Sequence, residues 1–166
     1  MLNLIGAIVG MSAIAIDLVA FTNALPVTLA QRLGLAAIAG AWVGLASGLG
    51  AAGTLAFSPE NPVPLIGVLF AVPLLVVGGL ALRSQRVRAA LLAVPMEVLI
   101  GLNSLRVLGV LFLFLAANGR LSGPFPYSAG LGDIITGALA IPLALSVART
   151  GGASFRAIRL WNIFGT

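Results

Sequence analysis

Long apolar runs separated by short polar turns organise this chain. Each run is close to the ~20 residues a helix needs to cross the hydrocarbon of a bilayer. The first covers residues 2–21 and closes at the turn Asn23-Ala24-Leu25-Pro26. The second covers 33–57 and ends at Ser58-Pro59-Glu60-Asn61-Pro62. A third runs over 63–82 up to Arg83, Arg86 and Arg88, a fourth over 96–117 and a fifth over 131–148. The pattern predicts an all-α fold, a polytopic transmembrane bundle of five spans forming a single domain over residues 1–166. The tail, SFRAIRLWNIFGT, predicts a helix over about 155–165. It reads as an interfacial helix anchored by Trp161 or as the first turns of a sixth span. Its apolar, aromatic end favours the second, with the C-terminus incomplete.

Composition agrees with a membrane setting. Of 166 residues, 60% are hydrophobic and 8% charged, against roughly 25% charged in soluble domains. There is no cysteine and no histidine, which excludes disulfides, thiolate and imidazole chemistry and the usual ligands of haem, copper or zinc. No cofactor and no metal site is expected. The first run lacks a basic leader and reads as a retained span.

The net charge of +5 resolves into an orientation. Arg32, Arg83, Arg86, Arg88, Arg149, Arg156 and Arg159 fall on one side of the predicted bundle, and Arg120 on the other. Positive charge accumulates on cytoplasmic loops. The N-terminus is therefore expected outside, and the charge does not call for nucleic acid.

Small residues mark packing faces. Gly40, Gly44 and Gly48 recur every four residues in the second run, with Ala36 and Ala52 extending the stripe. Gly6 and Gly10 make a shorter version in the first. Such stripes let membrane helices approach closely, so internal packing against a neighbouring span is expected, with a seam between copies as the alternative. Pro73 and Pro142 each remove one backbone hydrogen bond inside a span.

Ionisable groups in hydrocarbon cost a few kcal/mol each and tend to be paired or functional. Asp17, Glu97, Arg106 and Asp133 fall in or near the runs. A rise of ~1.5 Å per residue puts Asp17 ~22 Å from the outer surface, Arg106 ~16 Å and Asp133 ~5 Å. Asp17 is thus the best depth match for Arg106, with Asp133 reachable by snorkelling. Asn103 and Gly109 share a helical face with Arg106, leaving room there for a second helix or a ligand. Arg106 either fixes helix register through such a pair or grips an anion with its planar fork. Between the fourth and fifth runs, Asn118-Gly119 reads as a helix cap, and Pro124, Phe125, Pro126 and Tyr127 as a stiff aromatic hairpin. Asp133 then falls in the first turn of the fifth helix, favoured by the helix dipole.

The stretch RVLGVLFLFLAANGRLSGPFPYSAGLGDIITG, followed by a helix and RLWNIFG, resembles a family of small uncharacterised bacterial multi-pass membrane proteins. They share an Arg-x-x-Gly helix, a Gly-Asp helix start and a later Trp-Asn. The resemblance covers roughly residues 103–165. It implies the bacterial inner membrane and marks Arg106, Gly132, Asp133, Trp161 and Asn162 as a unit, without a mechanism.

An enzyme needs positioned groups that act near neutral pH. Here Asp17 and Asp133 are separated by ~17 Å in depth from the rise per residue, and neither a G-x-S-x-G nor a P-loop pattern occurs. The expectation is a non-catalytic integral membrane protein, an accessory or structural subunit or a lipid- or pigment-binding module. Its partners are the lipid bilayer and other subunits, or itself, through the glycine-rich faces. The alternative is an oligomeric small-solute or proton-coupled transporter or channel using Asp17 or Asp133.

Overall fold

The computed structural model describes residues 2–55, 65–151 and 155–165, and the side chains of these except 2–8 and 66. About 86% of it is helical, with no strand among the described residues. The turn at 58–62, the end of the second run beyond residue 55 and the surroundings of Gly6 lie outside the described residues.

Three helical stretches are long and apolar enough to cross a membrane: Leu29–Ala51, Met96–Ala117 and Phe125–Thr150. A fourth results if the bent pair Gly67–Arg83 and Gln85–Leu92 is counted as one span. The expected five spans are not reached among the described residues. At the N-terminus the described apolar stretch, Val9–Ala24, falls below crossing length, although the helix that contains it, α1 (Leu2–Ala24), has 23 residues.

The described residues gather into two compact units. The one over residues 25–94 holds α2 (Leu29–Ala51), α3 (Leu65–Arg83) and α4 (Gln85–Leu92). A capping box starts α2: Gln31 N–H donates to Thr28 Oγ1 at 3.3 Å, and Thr28 N–H donates to Gln31 Oε1 at 3.0 Å. Each bond satisfies a donor that a helix start leaves unpaired. The chain leaves α2 through Gly53, whose φ of +73° suits a residue without Cβ. Trp42 Nε1 donates to the Leu69 carbonyl at 3.3 Å, tying α2 to α3. The basic loop expected at 83–89 is largely helical. Ser84 accepts the Val87 N–H at 3.4 Å and starts α4, turned by 112° from α3. Arg86 and Arg88 lie exposed on it.

The other unit comprises residues 1–24 and 95–166. Besides α1 it holds α5 (Met96–Leu102), a 3-10 segment (Asn103–Gly109), α6 (Val110–Ala117), α7 (Phe125–Thr150) and α8 (Phe155–Gly165). At its centre lies α7, packed by α5, the 3-10 segment, α6 and α8, while α1 packs on α5. Ile100, Ala140, Val147 and Trp161 form the buried core, flanked by Leu143, Ala144 and Ile158.

One boundary differs from the sequence reading in a way that matters below. The helix expected to begin at 131 begins at Phe125, with Pro124 as its cap and Pro126 in its first turn. Proline is tolerated there because the missing N–H would be unpaired anyway. The residues read as a hairpin are therefore helix, and Phe125 stacks edge-on against Phe112 with ring centroids 5.8 Å apart.

Candidate functional site

The site begins with a change of winding. Asn103 Nδ2 donates to the Leu99 carbonyl at 2.9 Å, the acceptor its own backbone N–H would use in an α-helix. That N–H turns instead to the carbonyls of Ile100 and Gly101. A side chain that competes for the i−4 carbonyl disturbs the ladder, and the tighter 3-10 winding follows from this residue.

Glycines let α7 press against that segment. A Cβ on Gly137 would lie 2.5 Å from the Val107 nitrogen and 3.0 Å from the Ser104 carbonyl. On Gly109 it would meet Asp133 Cβ at 2.6 Å and the Gly130 carbonyl at 2.9 Å. Gly130 and Gly137 are seven residues apart, so both face the same neighbour along α7.

This approach sets Arg106 beside Asp133. Arg106 Nε donates to Asp133 Oδ1 at 2.8 Å, and Nη2 reaches the same oxygen at 2.7 Å. Nη1 donates to the Gly165 carbonyl at 2.7 Å. The guanidinium thus joins the 3-10 segment, α7 and the end of α8. That carbonyl is one of the last in its helix, where acceptors lack intrahelical donors and a cation is favoured. Upstream in α8, Trp161 is buried and its Nε1 donates to the Thr136 carbonyl at 2.9 Å. Gly165 is also tightly seated: a Cβ there would lie 2.7 Å from Thr136 Cγ2 and 3.3 Å from Arg106 Nη1.

Two expectations are corrected. Arg106 pairs with Asp133, not with Asp17, the better match by depth. Asp133 is the ninth residue of α7, not in its first turn, so the ion pair holds it in place of the helix dipole. The room expected beside Gly109 for a second helix or a ligand is taken by a second helix, α7.

Asp17 stands apart from the pair. Its Oδ1 is shielded and meets no hydrogen-bond donor among the described residues. It opens on a crevice of about 360 Å³, shared with Asn103, Arg106, Leu102, Leu105 and Ile14. A cavity of about 410 Å³ lies between Gly10 and the segment bearing Arg106, lined mainly by Leu108, Leu111, Phe112 and Leu115. No cluster of three or more acidic residues occurs among the described residues.

The glycine stripe behaves otherwise than expected. Gly40, Gly44 and Gly48 are exposed, and a Cβ on any of them would meet nothing within 4 Å. The same holds for Gly10 and Gly132. Internal close packing falls to Gly109, Gly130, Gly137 and Gly165. Of these the four-residue spacing selected none, because their partners lie on other helices.

Structurally this is an all-helical protein with several helices apolar enough for membrane insertion and an ion pair joining three of its segments. The chain belongs to the family described as Domain of unknown function (DUF8737), whose model matches residues 63–166. The matched part contains Arg106, Asp133, Thr136, Trp161 and Gly165. No curated protein and no solved structure matches the chain.

Proposed function

We propose that the protein is a non-catalytic integral membrane module of the bacterial inner membrane, whose internal ion pair serves assembly and whose α2 glycine face docks another subunit or a second copy. The N-terminus lies outside. α1 completes a fifth span with its first turns, and α8 enters from the cytoplasmic side, ending beside Arg106. Supporting this placement, α8 is 11 residues long, ~16 Å at the rise per residue, and its end contacts the middle of the Met96–Ala117 stretch.

The carrying observation is that Arg106 makes its bonds inside the protein, to Asp133 and Gly165. A cation so engaged is a fastener, and a chain without histidine or cysteine offers little else for catalysis. The open face at Gly40, Gly44 and Gly48 supports docking, since small residues are where membrane helices meet.

The absence of native cysteine allows a direct test by oxidative cross-linking in unextracted membranes. Gly44→Cys is expected to give a discrete cross-linked species, at twice the chain mass for a second copy. For docking to another subunit, a paired cysteine on that subunit is required. Ala46→Cys, on the far side of α2, is expected to give none. Equal cross-linking at both positions, or none at Gly44 with either partner, contradicts the docking role.

A further inference from the structure

Asp17 takes no part in the ion pair. Asp17 Oδ1 is shielded from solvent without a donor, on a helix of apolar character. An unpaired carboxylate in such surroundings is costly unless something satisfies it. The obvious counter-charge is Arg106, which lines the same crevice, yet it is held at 2.7–2.8 Å by Asp133. Its positive charge is therefore compensated by Asp133, and a second cation near Asp17 meets little repulsion.

The rest of the crevice suits a particular chemistry. Asn103 uses its Nδ2 on the Leu99 carbonyl, which leaves Oδ1 as an acceptor. Asp17 and Asn103 both line one crevice. Ala13, Ile14, Leu102 and Leu105 supply apolar walls. The crevice, of about 360 Å³ and broadly open, has room for one small molecule against its apolar wall.

We infer that the crevice between α1 and the α5–3-10 segment binds a small organic ammonium ion, its N–H groups donating to Asp17 and Asn103 and its apolar body lying against Ile14, Leu102 and Leu105. This goes beyond a docking role, because it assigns the chain a ligand of its own. It uses the geometry of the ion pair but not the identity of any partner at α2.

The test uses the full chain in phosphatidylcholine nanodiscs, with radiolabelled benzylammonium as probe and benzyl alcohol and benzoate as competitors. Saturable binding of one probe per chain is expected, displaced by neither competitor. Asp17→Asn is expected to weaken it by about tenfold or more, the loss of one charged hydrogen bond, with thermal unfolding unchanged. Asp17→Glu, which keeps the charge, is expected to retain binding and covers the case in which the amide variant does not fold. Absence of saturable binding, equal affinity in Asp17→Asn, or displacement by benzoate overturns the assignment.

Discussion

Arg106 and Asp133 explain each other. With side chains 36% and 25% exposed, the pair is only partly buried, so removing one partner is expected to cost about 1–3 kcal/mol, less than for a fully buried pair. Glycines decide whether that pair can form. Gly137→Ala forces a methyl group toward the Val107 nitrogen, 2.5 Å from its ideal position, so a loss of about 1–3 kcal/mol is expected from overpacking. Gly44→Ala meets nothing within 4 Å and replaces a poor helix former, so the chain's own unfolding midpoint is expected to stay the same or rise. Thermal unfolding of the two variants in one lipid separates a packed glycine from a docking glycine. Sequence alone marked Arg106 and Asp133 as candidates, with Asp17 as the better depth match for Arg106 and Asp133 as the alternative. The depth of Asp133 was misjudged because Pro124 and Pro126 were read as part of a hairpin, whereas they cap and open α7. Starting the helix six residues earlier lowers Asp133 by ~9 Å, which brings it level with Arg106.

At the scale of elements, the decisive features are the 3-10 segment and α8. Asn103→Leu removes the side chain that takes the Leu99 carbonyl and is expected to restore α-helical winding. That rewinding turns Arg106 relative to Asp133, and a lower unfolding midpoint is expected. Trp161→Phe keeps the ring but loses the bond to the Thr136 carbonyl, worth about 1 kcal/mol. Faster amide exchange confined to α8 is the expected reading; exchange spread evenly over α7 and α8 would contradict a role limited to seating α8. The apolar runs made these helices legible as elements. The family resemblance tied Trp161 to Arg106 and Asp133, but the seating of the end of α8 was not legible, because it depends on a backbone carbonyl, Gly165, that carries no sequence signal of its own.

Over the whole molecule, hydrophobic run length was enough to identify an all-helical chain suited to a membrane, because that signal comes from many residues at once. Of the five expected spans, the described residues supply three, or four with the bent pair. Apolarity marks which residues tolerate lipid and where a run ends, but not the angle of a turn: just past the third run, at Ser84, the chain bends by 112° into α4. The proposed orientation is testable with the same cysteine-free background. Gln85→Cys is expected to react with an impermeant maleimide only after the membrane is opened, and Ser122→Cys in intact cells. The reverse pattern inverts the topology.

The central claim is that Arg106 fastens the 3-10 segment to α7 and α8. A double-mutant cycle of Arg106→Met and Asp133→Asn, read as unfolding free energy in one bilayer composition, tests it most directly. Each single change is expected to destabilise the protein by about 1–3 kcal/mol, and the double variant by clearly less than their sum. Additive losses, or an Arg106→Met protein as stable as the wild type, would show that the two charges act separately and that Arg106 is no fastener.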